Sequence, residues 1–182
     1  MIKHLRMLAA CGVTALLALT AAPASAVSAD AGSAAASPNR CVGGPAKYRE
    51  DLTSTYYLDA SGSGGKGTHV ISWDRNGGAN QSWCLEHVAG APSDYFYIHP
   101  SYNLSLCMDI PGGNLQEGTQ IILWSCNGRW NQRFGVSSPA GDSTYFIESI
   151  LAPNGHRIFV SYAGRGNYVQ LSFDGNTWKR RY

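Results

Sequence analysis

Charge is scarce in this chain. Asp, Glu, Lys and Arg make up 14% of its 182 residues, where about 25% is usual for a soluble domain. What charge there is balances. Of the 14 basic residues, Lys3 and Arg6 lie at the extreme N-terminus, and without them 12 basic residues face 12 acidic ones. A near-neutral chain carries no electrostatic footprint for nucleic acid or for an anionic membrane surface, so neither is expected as a partner. Closely spaced cysteines or histidines are also lacking, which leaves no metal-ligand signature. No stretch after residue 40 has a convincing helical period, and the one long apolar run sits near the start.

That run has a specific context. Lys3, His4 and Arg6 precede it, it extends from about Met7 to Ala22, and Ala24-Ser25-Ala26 follows as a small-residue cleavage site. The pattern predicts a secretory signal peptide over residues 1–26 and hence a secreted, extracellular protein. A membrane anchor would need a longer apolar run. Cys11 stands before most of the run, whereas a lipidated lipobox cysteine follows it. Residues 27–40 are almost entirely Ala, Ser and Gly, too poor in large apolar groups to pack, and read as a flexible spacer. Residues 41–182 have globular composition and are long enough for one domain with its own core.

Four cysteines remain in that domain: Cys41, Cys84, Cys107 and Cys126. An even number in an exported chain points to disulfides, with three pairings available. Cys107 opens the apolar run Cys-Met-Asp-Ile and Cys126 closes Ile-Ile-Leu-Trp-Ser-Cys. Both fall within one repeat unit, so Cys107–Cys126 is expected, which leaves Cys41–Cys84.

Short runs rich in β-branched and aromatic residues recur: Tyr95–His99, Leu104–Ile110, Thr119–Ser125, Asn131–Val136, Thr144–Ile147, Arg157–Tyr162 and Tyr168–Phe173. Turn residues separate them, as at Pro111-Gly112-Gly113, Asn127-Gly128, Pro139–Asp142 and Asn154-Gly155. Short strands at regular spacing indicate an all-β barrel or sandwich.

A repeat organises these strands. Gly67, Thr68, Trp73, Asn76, Gly77, Asn80, Gln81 and Trp83 recur 51 residues later as Gly118, Thr119, Trp124, Asn127, Gly128, Asn131, Gln132 and Phe134. Asp59 and Asp109 precede the two copies, in Tyr57-Leu58-Asp59 and Cys107-Met108-Asp109. A period of this length means that one supersecondary unit is copied. Three units are expected, over roughly 41–90, 91–140 and 141–182. The third is degenerate: Val160 is expected near the Asp position, Ser172-Phe173-Asp174 parallels Ser72-Trp73-Asp74, and Arg180, Arg181 and Tyr182 stand near where Asn-Gln-x-aromatic belongs.

Cys-Met-Asp-Ile, then Gly-Thr-x-Ile-Ile-Leu-Trp-Ser-Cys-Asn-Gly, then Asn-Gln-Arg-Phe resembles the ricin-B-type lectin repeat, also known as the family 13 carbohydrate-binding module. The resemblance implies a β-trefoil of three four-stranded repeats and binding of neutral saccharides, of galactose or xylose type. One departure is present: many plant members carry Gln two residues before the stacking aromatic, and this chain has Ile71 and Ile122 there.

The chemistry of such a site can be stated without the family. A carboxylate accepts two sugar hydroxyls through charge-assisted bonds, an amide both donates and accepts, and a flat indole covers the C–H face of a pyranose. Asp59, Trp73, Asn76, Asn80 and Gln81 supply these groups once. Asp109, Trp124, Asn127, Asn131 and Gln132 supply them again. Each residue also has a structural reading: turn-capping for the aspartates, core packing for the tryptophans, Asn-Gly turns for Asn76 and Asn127, and backbone clamping for Gln81 and Gln132. Trp83 and Phe134 are read as core. The sequence thus points to a secreted, lectin-like binding protein with two working sites, needing no cofactor or metal. The alternative is a secreted inhibitor or toxin component that binds protein on the same scaffold. An enzyme is not expected, since no nucleophile elbow, metal cluster or catalytic carboxylate pair is visible.

Overall fold

Glycine turns cut the apolar runs into strands too short to stand alone, so they must pair around a shared core. The computed structural model describes residues 40–51, 55–138 and 144–182; the leader, nearly all of the spacer and the turn at 139–142 lie outside the described residues. Among the described residues, twelve strands form three sets of four. The first set is β1 Lys47–Glu50, β2 Tyr56–Ala60, β3 Val70–Asp74 and β4 Trp83–His87. The second is β5 Tyr95–Pro100, β6 Leu106–Asp109, β7 Ile122–Ser125 and β8 Phe134–Ser137. The third is β9 Thr144–Ser149, β10 Phe159–Ser161, β11 Gln170–Ser172 and β12 Trp178–Arg181.

Antiparallel pairing runs β1–β12–β9–β8–β5–β4. The circle closes where Ala46, just before β1, exchanges backbone hydrogen bonds with Trp83 of β4 at 2.9 and 2.7 Å. These six strands make a barrel. The remaining six form the hairpins β2–β3, β6–β7 and β10–β11. The fold is a β-trefoil.

The hairpins are tied to one another by a ring of backbone bonds. Val70 N–H donates to Ile121 O (3.0 Å), Ile121 N–H to Val169 O (2.9 Å) and Val169 N–H to Val70 O (2.9 Å). All three side chains are fully buried. Around this ring the recurring glycine serves one purpose. Gly67, Gly118 and Gly166 have φ of 88, 82 and 75°, a conformation open to glycine and strained for other residues. Each donates its N–H to a strand of the neighbouring repeat, at Leu123, Leu171 and Ser72. The Gly-Thr pair of the motif is therefore scaffold, and Gly166-Asn167 is its third copy.

That ring also fixes the register of the third repeat. Asp59 faces Ile71 and Asp109 faces Ile122 across their hairpins, and Ser161 faces Gln170. Ser161, not Val160, thus occupies the aspartate position. Tyr57 faces Trp73, Cys107 faces Trp124 and Phe159 faces Ser172, so Ser172, not Phe173, occupies the indole position. At the end of the unit, the Trp83 indole N–H donates to Leu58 O and that of Trp178 to Val160 O, both at 2.9 Å. Trp178 is accordingly the third copy of the core aromatic, and Arg180, Arg181 and Tyr182 lie beyond it. Trp83, Phe134 and Trp178 are completely enclosed.

Several strands are shorter than the apolar runs that announce them. The run at 119–121 is spent on the bonds between hairpins, so β7 begins at Ile122. The run expected from Asn131 begins as a 3-10 turn, Trp130–Gln132, and becomes strand only at Phe134. Cysteines 107 and 126 are bonded, with Cα atoms 5.1 Å apart, and so are Cys41 and Cys84, at 4.9 Å. The second bond braces the place where β4 meets the start of the barrel.

Candidate functional site

The two expected residue sets each assemble around one hairpin. In the first repeat Asp59 lies near the end of β2, Trp73 lies on β3, Asn76 lies in the turn after it, and Asn80 and Gln81 lie in the 3-10 turn Ala79–Gln81. Asp59, Ile71, Trp73, Asn76 and Asn80 line one cleft of ≈ 330 Å³. In the second repeat Asp109, Ile122, Trp124, Asn127 and Asn131 line another of ≈ 390 Å³. Both carboxylates form cleft floors although each residue is nearly buried, Asp59 at 2% and Asp109 at 4% exposure. Burial pushes the carboxyl of each above the ordinary aspartate range, and hydrogen bonds from the amides oppose that rise.

Gln81 and Gln132 lie behind the carboxylates and not in the clefts. Gln81 donates its Nε2 to Asp59 Oδ2 (2.9 Å) and to Asp74 O (2.7 Å), and its Oε1 accepts from Asn76 N–H (3.0 Å). Gln132 repeats this with Asp109 Oδ2 (2.7 Å), Ser125 O (3.0 Å) and Asn127 N–H (2.8 Å). Both glutamines are fully enclosed, so their direct contact with a ligand, one of the readings of the sequence, is sterically closed. Each amide locks an acid to its turn.

The asparagines behave differently in the two copies. Asn76 and Asn80 donate to Asp59 Oδ2 at 3.2 and 2.8 Å. Together with Gln81 they put three amide donors on one oxygen, while Oδ1 receives none from the described residues. In the second copy Asn131 donates to Ile110 O at 3.1 Å while still lowering the carboxyl pKa of Asp109. The copies also differ one position before each 3-10 turn. Gly78 stands where the second repeat has Arg129, and a Cβ on Gly78 would come within 2.3 Å of Asn80 Oδ1. A side chain there would crowd Asn80 in the orientation it adopts. Asn76 and Asn127 both turn their Oδ1 back to a backbone N–H two residues on, at Gly78 (2.7 Å) and Arg129 (2.9 Å).

Both indoles are accessible: Trp124 is 37% exposed and Trp73 is half-buried. Each carries a cation supplied by another repeat. Lys66 Nζ lies 4.0 Å from the centre of the Trp124 ring, and the Arg165 guanidinium lies 4.7 Å from that of Trp73. Glu117, at the same step before its glycine, accepts from Ser172 Oγ at 3.0 Å. The residue before each turn glycine thus reaches the indole position of a different repeat, in a closed cycle. Neither cation forms part of a cleft wall.

The second cleft contains two residues that motif matching passes over. Arg129 and Trp130 line it, where the first repeat has Gly78 and Ala79. The signal was present in the repeat, in the positions that differ rather than in those that agree. The third repeat has Ser161 and Ser172 at the acid and indole positions.

Other chemistry can be placed quickly. His99, Cys107 and Cys126 are the one His/Cys group of metal-like closeness among the described residues, but both sulfurs are joined to each other and offer no thiolate. His99 is fully enclosed between Leu106 O (2.8 Å) and Glu86 (2.9 Å), and burial lowers its pKa. No helix among the described residues is long and apolar enough to cross a membrane.

Residues 50–124 match the family described as ricin-type β-trefoil lectin domain-like. Solved structures agree on the fold. A designed threefold-symmetric protein, ThreeFoil, has a TM-score of 0.61 at 18% identity, covering 76% of this chain and 98% of that one. The exo-β-1,3-galactanase 1,3Gal43A of Clostridium thermocellum scores 0.62 at 23% identity, covering 79% of this chain but 30% of its own. The β-trefoil lectin of the Vibrio vulnificus hemolysin/cytolysin, solved with N-acetyl-D-lactosamine bound, scores 0.54 at 17% identity over 76% of this chain and 93% of that one. No curated protein matches the sequence. Over residues 50–124 the chain is thus similar to a ricin-type β-trefoil lectin-like domain, and its fold is the β-trefoil of these solved structures.

Proposed function

We propose that this is a secreted, non-catalytic carbohydrate-binding protein that holds neutral saccharides at two sites, one in each of the first two repeats. The observation that carries the reading is the pairing, twice over, of a cleft-floor carboxylate with an accessible indole: Asp59 with Trp73 and Asp109 with Trp124. In the first site Asp59 Oδ1 and the asparagine amides take sugar hydroxyls while Trp73 covers a C–H face. In the second, Asp109, Asn127 and Asn131 do the same beside Trp124. Gln81 and Gln132 position the acids. The lactosamine-bound Vibrio lectin domain has the same fold, which supports a saccharide ligand.

Shallow sites of this kind bind weakly one at a time, and two on a rigid body gain avidity on a polysaccharide. Secretion is supported by the leader pattern and by the two disulfides. The test is binding of galactose, lactose and xylose, as free sugars and as polysaccharides, to the wild type, Asp59→Ala, Asp109→Ala and the double variant. Each single change should cut avidity and the double change abolish it in a folded protein. Normal binding by the folded double variant would overturn the site assignment.

A further inference from the structure

The two clefts differ in a way that reads as construction. In the second, the Trp130 ring lies against Gly113, where a Cβ would come within 2.6 Å of the indole. The first repeat has Ser63 at that place in the matching 3-10 turn, and opposite it Ala79. Ser63 sits at φ 52°, a backbone conformation that glycine would adopt more easily. Both positions are small in the first copy, whereas in the second Gly113 leaves the room that the large Trp130 ring fills. Trp130 is 37% exposed, so its ring is packed on one side and presented on the other.

Beside it, Arg129 is exposed and lines the same cleft, and no described residue accepts a hydrogen bond or ion pair from its guanidinium. The surroundings add positive charge. Arg133 is anchored next to Arg129 by bonds to Gly128 O at 2.6 and 3.2 Å, and Lys66 stands on Trp124. The wall of the first cleft holds no cation: Gly78 and Ala79 bring no charge, Arg75 beside Asn76 is not in the lining, and Arg165 is paired with Asp74 at 2.6 Å.

We propose that the second site is an extended one that takes at least two sugar residues and prefers a glycan with an anionic substituent, a carboxylate or a sulfate, next to the ring held by Asp109 and Trp124. The adjoining ring packs on Trp130 and the anion meets Arg129, the side chain suited to bidentate pairing with a carboxylate. The first site takes a single neutral ring. This rests on the lectin reading above and refines its ligand class at one site.

Matched pairs test it: lactose against sialyllactose, and a xylo-oligosaccharide against its glucuronate-branched counterpart. Binding is followed by NMR through the indole N–H signals, in Asp59→Ala to read the second site and in Asp109→Ala to read the first. In Asp59→Ala the acidic member of at least one pair should bind about tenfold more tightly than the neutral one, and added salt should erode the difference. In Asp109→Ala the two members should bind alike. Adding Arg129→Gln to Asp59→Ala should bring the ratio near one, and Arg129→Lys should restore part of it. Sugar binding with no acidic preference, or a preference untouched by Arg129→Gln, overturns this inference and leaves the lectin reading standing. Absence of binding to every probe by the wild type overturns both.

Discussion

The guanidinium of Arg165 lies 4.7 Å from the centre of the Trp73 ring while its Nε donates to Asp74 at 2.6 Å. Arg165 belongs to the third repeat and Trp73 to the first. The repeat without an acid and an indole therefore braces the indole of another. Arg165→Ala should weaken sugar binding at the first site by about two- to fivefold, the scale of one exposed cation–π contact. The second site, read in an Asp59→Ala background, should not change. Titration with the sugar that binds the wild type checks both.

The buried aspartates set the acid limit of binding. Both carboxyls are held above the ordinary aspartate range by desolvation, and a protonated acid is a poorer acceptor for hydroxyls. Binding should therefore fade on acidification at a higher pH than an exposed aspartate would give. Stability should not fall for the same reason. The folded-state value lies above the unfolded one, so ionisation of these two groups disfavours folding most above the folded value, and that penalty fades as pH falls. Parallel binding and denaturation curves against pH separate the two effects.

Gly78→Ala should uncouple Asn80 from Asp59. The new Cβ would fall 2.3 Å from Asn80 Oδ1, forcing that side chain away. Loss of one amide donor to the ionised carboxylate raises its pKa. Carbon-13 NMR titration of Asp59 in the variant should show a value above that of the wild type, with a stability change of about 1 kcal/mol.

Removal of one disulfide should have a local as well as a global effect. Cys107 and Trp124 face each other across the β6–β7 hairpin. Cys107→Ser with Cys126→Ser should lower unfolding free energy by about 3 kcal/mol, the chain-entropy value for a loop of this size. It should also weaken the second site more than the first. Urea denaturation and site-resolved binding measure these.

The sequence was most legible where the repeats agree. Eight matched positions announced the trefoil, and the two indoles stood at one fixed step after the turn glycine, with an acid eight residues before it in the first copy and nine in the second. Matching could not separate ligand groups from scaffold. Gln81 and Gln132 recur because each must clamp a turn, and Gly-Thr recurs because one hairpin donates to the next. The third repeat was misaligned at its aspartate and indole positions because strand pairing, not residue likeness, sets the register of Ser161 and Ser172. Arg129 and Trp130 went unread because they have no partner in the first copy. The Trp130 ring fits only because Gly113, 17 residues earlier, has no side chain, a pairing that folding brings about and residue order does not announce.

The closed cycle of hairpin bonds through Val70, Ile121 and Val169 has a consequence for how such a chain can diverge. Every loop is finished by a neighbour, so no copy is spare. A repeat stripped of its own ligand groups still answers for the shape of the next pocket round, and mutation there is filtered by what it does elsewhere. Specialisation is left to places outside the interlock, such as the pair of positions following each Asn-Gly.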